Sequence, residues 1–280
     1  MDHITPETTE YQNLLYEVDA ERVCWLTLNR PEKANAMSER LIAELKAGLL
    51  RADRDDGVNV IVIRGAGRGF CAGHDLEEDA TDDRSSIYDY RLKYIKQFED
   101  FTTPWIVTKP VIASVHKYAI GKGFELSLFC DVSIVTSDTM LGYSEVRYGL
   151  TAHCMFMPWL VNMKTAKELL LTGREVSAAE AKEMGLVTQV VAPEELEEVT
   201  RRKATLMARI PRDMQRIHKS YLNKVYELQG LRTATDYYLE LVPIMSVQPV
   251  PEYAELTKDT IEKGLKVALS NARSRYEGLE

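Results

Sequence analysis

A nearly continuous apolar run, Val58–Arg64 (VNVIVIR), constrains the fold more than any other feature of the sequence. It lacks the polar and apolar alternation of a half-exposed strand, so it is suited to a sheet that is covered on both faces. It leads into a glycine-rich loop, Gly65–Asp75, and two further β-rich runs follow at Val111–Val115 and Val132–Thr136, with a short helical pattern between them. This succession of strands, turns and helices predicts an α/β fold with a mostly parallel sheet layered with helices.

Further elements are predicted from local patterns. Ser38 is placed to cap an amphipathic helix, Ser177 is placed to cap another, and Gly185 stands where that second helix ends. The remaining predicted elements are strands at Arg22–Asn29 and Leu186–Val191 and helices around Tyr88–Phe101 and at Phe124–Cys130, Lys164–Leu171 and Ala178–Met184.

The last part of the chain is predicted to be helical. From Glu194 onward the apolar residues recur with the helical period, and the pattern is interrupted at prolines, namely Pro211, Pro243, Pro249 and Pro251. We expect the chain to divide into residues 1–195, which carry the strand-rich pattern, and a helical region of residues 196–280. The apolar faces of that region are larger than a lone helical tail needs, which predicts packing against a neighbouring subunit.

The composition narrows the class of protein. A hydrophobic fraction of 45% and a charged fraction of 28% are those of an ordinary soluble protein, and no apolar run approaches the roughly 20 residues needed to cross a bilayer. The acidic, polar start lacks the features of a signal peptide. The four cysteines lie far apart and show no metal-ligand spacing. We expect a cytoplasmic protein without a membrane partner or metal site, and the net charge of -8 argues against a nucleic-acid partner.

Two glycine-bearing turns each follow a predicted strand. In Cys71–Leu76 (CAGHDL) the glycine permits a sharp turn and leaves the N–H of His74 available. The turn Gly121–Gly123 opens a helix, whose first N–H groups have no intrahelical partner and carry partial positive charge. Two such donors that converge on one point would form an oxyanion hole, which stabilises a thioester carbonyl as it becomes an enolate. The alternative is that both are ordinary loop glycines.

Two glutamates follow the second turn. Glu125 falls in the first turn of the helix, within an apolar run (FELSLFC) where an unpartnered carboxylate is costly to bury. Glu145 lies twenty residues further on, after a strand and a turn. Two carboxylates beside an oxyanion hole are suited to placing water at the β-carbon of an acyl group and moving a proton at its α-carbon. The alternatives are a helix-start acid stabilised by the dipole for Glu125 and a surface loop acid for Glu145.

The chain resembles the crotonase (enoyl-CoA hydratase/isomerase) superfamily along nearly its whole length. Five segments carry this resemblance through their order and spacing. They are Leu28–Ala36 (LNRPEKANA), Phe70–Leu76, Ile120–Asp131, Leu141–Gly149 and Leu170–Val191. The resemblance implies a crotonase-like spiral of strand–strand–helix repeats, with acyl-CoA binding and catalysis in residues 1–195 and a C-terminal helical oligomerisation region in residues 196–280. It also implies a homotrimer or a hexamer. Coenzyme A (CoA) is then part of the substrate, and no separate cofactor is expected.

The resemblance implies roles for individual residues. The N–H groups of His74 and Lys122 match the oxyanion donors of the family. Glu125 and Glu145 match the two glutamates that hydratases place around one water; Glu125 would help to activate the water that attacks C3, and Glu145 would supply the C2 proton. The positions that match the family's cradle for CoA are Lys33, Ala34, Ala36, Ala72, Asp75 and Leu76. The expected activity is that of enoyl-CoA hydratase, the reversible syn addition of water to a 2-enoyl-CoA.

The sequence departs from the family pattern in two places. Lys122 stands where the family usually has glycine; its N–H is retained, and its side chain is expected to point at solvent or at a phosphate of CoA. After the second glutamate, the bulky segment Thr151–Trp159 (TAHCMFMPW) replaces a glycine-rich helix start. We expect this segment to reshape the acyl pocket, with His153 and Phe156 lining it. The alternative is that its large side chains belong to the core.

Other functions stay open on the same scaffold, because a fold hosts several chemistries. An enoyl-CoA isomerase needs chiefly one carboxylate, so the presence of two favours hydration or dehydration. A crotonase-type acyl-CoA hydrolase is a further alternative, whereas a dehalogenase is disfavoured because residues 142–152 contain no aspartate to act as its nucleophile. A non-catalytic RNA-binding relative would need a basic surface, which the net charge of -8 does not support.

Overall fold

The computed structural model describes residues 4–5, 7, 10–82, 84–152 and 156–279. The strands are β1 (Leu14–Val18), β2 (Val23–Leu28), β3 (Val60–Gly65), β4 (Val111–Val115), β5 (Tyr118–Ile120), β6 (Val132–Thr136), β7 (Met140–Gly142), β8 (Glu175–Ser177) and β9 (Gln189–Val191). The helices are α1 (Glu39–Arg54), α2 (Leu76–Asp79), α3 (Ile87–Phe101), α4 (Thr103–Ile106), α5 (Lys122–Phe129), α6 (Met157–Leu160), α7 (Met163–Thr172), α8 (Ala178–Glu183), α9 (Leu196–Ala208), α10 (Arg212–Leu228), α11 (Leu231–Ser246), α12 (Pro251–Lys263) and α13 (Leu265–Ser274). Short 3₁₀ helices cover Pro31–Lys33, Ser144–Tyr148 and Pro193–Glu195.

The strands form two sheets. The larger sheet has the order β1-β2-β3-β4-β6-β9, and the smaller has the order β5-β7-β8. In the larger sheet β1 runs antiparallel to β2, and every other neighbouring pair is parallel. From β4 to β7 consecutive strands alternate between the sheets, since β4 and β6 are neighbours in one and β5 and β7 in the other. The predicted mostly parallel sheet is confirmed, and the alternation makes the stacked strand–strand units of a spiral.

The apolar run that leads into β3 is buried on both faces of the sheet. Ile61 and Ile63 belong to the main hydrophobic core, which also contains Leu41 of α1. Val60 and Val62 point the other way, into a second cluster with residues of α9. Because successive side chains of a strand face opposite sides, a strand between two helical layers needs apolar residues at every position. The prediction from the continuous run is therefore confirmed.

Local signals placed two helix starts correctly, whereas the helix predicted from Phe124 begins two residues earlier, at Lys122. The side chain of Ser38 accepts a hydrogen bond from the N–H of Leu41 and caps α1. Ser177 caps α8 in a reciprocal capping box with Glu180. The strand predicted at Leu186–Val191 is shorter, because β9 covers only the last part of that range.

The C-terminal helices do not pack as one separate layer. Val199, Ala204 and Ala208 of α9 are buried against the larger sheet, so this helix covers the face opposite α1. Pro243 lies inside α11, and the prediction that it interrupts the helix is wrong. A proline removes one backbone hydrogen bond, and Pro243 is buried where packing can offset that loss. The boundary between residues 195 and 196 stays a prediction. No helix among the described residues is both long enough and apolar enough to cross a bilayer.

The last two helices pack against the segment that carries Glu145. Leu256 of α12 and Ala268 and Ala272 of α13 form a buried cluster with Tyr148, which ends the 3₁₀ helix Ser144–Tyr148. The Arg273 Nε–H donates to the Tyr148 hydroxyl at 3.1 Å. The C-terminal helices of the same chain therefore support one side of the candidate site.

Candidate active site

The two glycine-bearing turns lie in contact. Cys71 forms a parallel β-bridge with Ala119, and the Ile120 N–H donates to the Cys71 carbonyl at 3.0 Å. Gly73 adopts a φ of +105°, and a Cβ at this position would lie 2.9 Å from the carbonyl oxygen of Ile120. Only glycine meets both conditions, because L-residues with a side chain rarely adopt such a φ. The backbone of the first turn is thus pressed directly against that of the second.

The N–H groups of His74 and Lys122 are the candidate oxyanion donors, and each residue directly follows one of the two contacting glycines. The two glycines that precede these residues are in contact, since a Cβ on Gly73 would lie 3.7 Å from the Cα of Gly121. Lys122 is the first residue of α5, so its N–H has no partner within the helix. Neither N–H donates to an acceptor among the residues that the structure describes. An oxyanion hole requires two available N–H groups that converge on one point, and the His74 and Lys122 N–H groups stay the candidates for it.

The carboxylate of Glu145 lies against this pair of turns. A Cβ placed on Gly121 would be 3.0 Å from both carboxylate oxygens of Glu145. Its Oε2 is buried, with no hydrogen-bond partner in the described part of the chain. Burial raises the pKa of Glu145 to about 8, against the lowering effects of its own backbone N–H and of the Lys122 ammonium. At neutral pH the group therefore carries a proton.

Glu125 occupies a different position. It lies in the first turn of α5, where its N–H donates to the Gly121 carbonyl at 3.0 Å. Its side chain is 0% exposed and is not among the residues that line the cavity described below. Of the two glutamates, Glu145 lines the cavity and Glu125 does not.

A cavity of about 570 Å³ opens beside the two turns. Of the residues predicted for the site, those that line it are Ala34, Ala72, His74, Leu76, Lys122 and Glu145. Residues that the sequence analysis did not single out complete much of the rest, among them Arg68, Tyr118, Tyr148, Leu269 and Arg273. Leu269 and Arg273 come from α13, and no local sequence signal connects that helix to the turns. Its position is decided by tertiary packing.

Three of the residues that were expected to cradle CoA make other contacts. Lys33 is exposed and forms an ion pair with Glu77. The carbonyl of Ala36 accepts a hydrogen bond from Arg30 at 2.6 Å. Asp75 caps α2 and forms an ion pair with Arg30 at 2.8 Å. These contacts shape the loop that presents Ala34 and Ala72, and none of the three side chains lines the cavity.

Phe156 lies in the core and does not line the cavity. It is buried among aromatic rings, with centroid distances of 4.7 Å to Trp105, 5.3 Å to Phe129 and 6.1 Å to Tyr226. The alternative, that large side chains of the bulky segment belong to the core, therefore applies to this residue. His153 lies outside the described residues.

The side chain of Lys122 does not point to solvent, and that expectation is wrong. Lys122 is 4% exposed. Its Nζ lies 2.7 Å from Nδ1 of His74 and 3.0 Å from Oε1 of Gln97. Burial lowers the pKa of Lys122 to about 8, which nearby carboxylates such as Asp79 oppose. The side chain turns inward because polar partners from α3 and from the first turn are available there.

Comparisons with known proteins agree with this geometry. The family model described as enoyl-CoA hydratase/isomerase matches residues 19–242. A crystal structure of an enoyl-CoA hydratase/isomerase from Xanthobacter autotrophicus Py2 is 31% identical, covers 96% of this chain and 100% of its own, and superposes with a TM-score of 0.92. A Rhizobium meliloti protein assigned as an enoyl-CoA hydratase is 34% identical over 79% of this chain and 86% of its own. An enoyl-CoA hydratase from Mycobacterium smegmatis has a TM-score of 0.86 at 27% identity, covering 94% of each chain. The chain has the crotonase fold and belongs to the enoyl-CoA hydratase/isomerase family.

Proposed function

We propose that this protein is an enoyl-CoA hydratase, which reversibly adds water to the C2–C3 double bond of a 2-enoyl-CoA in a syn sense. The observation that carries the proposal is the position of Glu145. Its carboxyl group is shielded, lies against Gly121 and lines a cavity that also contains the His74 and Lys122 turns. Family membership supplies the acyl-CoA class of substrate.

In the hydration direction, Glu145 is the proton donor. Because burial raises its pKa to about 8, it holds a proton at neutral pH that it can deliver to C2. The N–H groups of His74 and Lys122 would stabilise the negative charge that develops on the thioester oxygen as the enolate forms. The enolate forms as the oxygen of water bonds to C3 and the electrons of the C2–C3 double bond move toward the thioester oxygen. Glu125, the group assigned to activate the water, takes up the proton that the water releases, and this proton replaces the one that Glu145 gives to C2, so the site is restored after each turnover.

We assign the water-activating role to Glu125. This assignment rests on the family resemblance and on the place of Glu125 in the first turn of α5, directly after the Gly121 turn. Its full burial sets it apart from Glu145, since it does not line the cavity. The two glutamates are therefore expected to differ in how strongly substitution affects turnover and in the step affected.

The activity is tested with short 2-enoyl-CoA esters such as crotonyl-CoA. Hydration predicts loss of the absorbance of the conjugated thioester without appearance of free thiol. Release of thiol would instead indicate an acyl-CoA hydrolase and would overturn the proposal. The reverse reaction, in which a 3-hydroxyacyl-CoA regains the absorbance, should reach the same equilibrium.

A second candidate activity, enoyl-CoA isomerisation, is favoured by one observation. Among the described residues, Glu145 lines the cavity and Glu125 does not, and moving a double bond requires chiefly one carboxylate. A 3-enoyl-CoA ester distinguishes the two activities. An isomerase converts it to the conjugated ester faster than it hydrates crotonyl-CoA, whereas a hydratase shows the opposite ratio.

We propose that the chain assembles into a homotrimer or a hexamer. The support is a stripe of exposed apolar side chains on α10, including Ile217, Tyr221 and Leu228, which are 59%, 66% and 78% exposed. Isolated apolar residues are common on surfaces, but a row at helical spacing indicates a covered face. Light scattering after size exclusion would measure the mass, and a monomer would contradict the proposal.

We further propose a cytoplasmic location and catalysis without a separate cofactor. The described cysteines Cys24, Cys71 and Cys130 are free and buried, which suits a reducing compartment. The cofactor proposal is tested by turnover after dialysis against a chelator, which should not change the rate.

A further inference from the structure

The side chains of Lys122 and His74 are in direct contact with each other. The ammonium of Lys122 can only donate hydrogen bonds, so Nδ1 of His74, 2.7 Å away, must be the acceptor. The proton of the neutral imidazole is then on Nε2, which lies 2.6 Å from Oδ2 of Asp79. The direction of each hydrogen bond in the chain from Lys122 to Asp79 is thereby determined.

Asp79 is held in turn by a second lysine. Its Oδ1 lies 3.0 Å from Nζ of Lys93, which also contacts Oδ2 of Asp82 at 2.6 Å. Burial alone would raise the pKa of Asp79, but His74 and Lys93 outweigh it and hold that pKa below its usual range. Burial and the Lys122 charge lower the pKa of His74. The imidazole is thus neutral at physiological pH, as the hydrogen-bond directions require.

This chain of contacts joins the two residues whose backbone N–H groups are the candidate oxyanion donors. We propose that Lys122 and His74 are positioning residues: their side-chain hydrogen bond clamps the two donor turns together and places a buried ammonium in the wall of the oxyanion hole. The proposal rests on the proposed function, in which those donors stabilise an enolate. It also explains why a lysine is accommodated in a turn where only the N–H is needed.

The positive charge of the Lys122 ammonium adds to the stabilisation of the enolate that the two backbone N–H groups provide. Charges act more strongly in a buried site than in water, and a fixed cation costs no reorganisation when the enolate forms. Among the charged groups that act on Lys122, Asp79, Glu78 and Glu125 favour its ammonium form and Lys93 opposes it. Its pKa of about 8 keeps most of the group protonated at neutral pH.

The test measures binding of an enolate rather than turnover. Acetoacetyl-CoA, which can bind as its enolate and then absorbs in the near ultraviolet, is compared with butyryl-CoA, which cannot. The variants are Lys122→Met, His74→Leu and the double variant. Each single variant should weaken acetoacetyl-CoA binding by about 10- to 100-fold, as expected for displaced donors, with little change for butyryl-CoA. The double variant should lose no more than either single one, because one clamp is broken in all three.

Lys109→Met is the matched control for loss of a buried lysine. Lys109 is 2% exposed, donates to the carbonyls of Ala52 and Asp55, and does not line the cavity. It should reduce thermal stability without changing the enolate absorbance. If Lys122→Met does not fold, His74→Leu carries the same comparison.

A wild-type enolate absorbance in a folded single variant would overturn the proposal. Equal losses of acetoacetyl-CoA and butyryl-CoA binding would also overturn it, because they would mean only a collapsed cavity. The proposal would also be overturned if the wild-type protein gave no enolate absorbance with acetoacetyl-CoA. A wild-type protein that forms the enolate but does not hydrate crotonyl-CoA would refute the hydratase proposal and leave the clamp standing.

Discussion

The carboxylate of Glu145 rests on the backbone of Gly121, with both oxygens 3.0 Å from where a Cβ would stand. Gly121 has a φ of +51° and its N–H donates to the Gly142 carbonyl at 2.8 Å. The glycine therefore serves two purposes, since it permits the turn that opens α5 and leaves room for the carboxyl group. This contact connects the oxyanion turn to the group proposed as the proton donor.

Gly121→Ala should reduce hydration by about 100-fold, because the new methyl group displaces the Glu145 carboxyl group and strains the turn. Initial rates with crotonyl-CoA measure the effect. Gly264→Ala is the matched control, since Gly264 also has a positive φ, +86°, but nothing lies within 4 Å of its would-be Cβ. Similar rates for the two variants would contradict the importance of the contact.

Glu145→Gln should lower kcat by about 10²- to 10⁴-fold, as expected for loss of a general acid, while butyryl-CoA still binds. Single-turnover rates and calorimetric binding measure the two quantities. Glu183→Gln makes the same chemical change at an exposed position of α8 and should leave both unchanged. Near-normal turnover by Glu145→Gln would remove the residue from the mechanism.

Hydration by the wild-type protein should fall as the pH rises through about 8, the pKa to which burial raises Glu145. The protonated form is the donor, so activity that depends on it is present below this pKa and is lost above it. A profile of kcat/KM against pH in the hydration direction tests the sign. An increase in kcat/KM across this range would show that the ionised carboxylate is the required form.

Glu145→Gln should also become more stable than the wild type at alkaline pH. The pKa of Glu145 is raised from 4.5 to about 8 in the folded chain, so between these values the folded protein keeps a proton that the unfolded chain releases. The free energy of unfolding contributed by this group therefore decreases as the pH rises through that window. Glutamine does not ionise, so the difference in Tm should grow between pH 4.5 and about 8 and then level off. A constant difference would contradict the raised pKa.

Much of the fold could be predicted because its signals are local. The cap at Ser38 and the strands Val111–Val115 and Val132–Thr136 agree with the structure. The strands β1, β5, β7 and β8 were missed. The last three have three residues each, which is too short a pattern to recognise. The helical period of α9 indicates an apolar face but does not identify the surface that covers it. Its place on the larger sheet could not be predicted for that reason.

The sequence by itself determined the family and the two glycine turns and singled out two candidate glutamates, since these depend on residue type and spacing. Only the tertiary structure decided that Lys122 turns inward to His74 and that Glu145, but not Glu125, lines the cavity. The physical reason is that a turn is set by the φ and ψ angles of a few neighbouring residues. Burial, hydrogen-bond partners and pKa values depend instead on segments far away in the chain, such as α3 and α13, that fold against those turns.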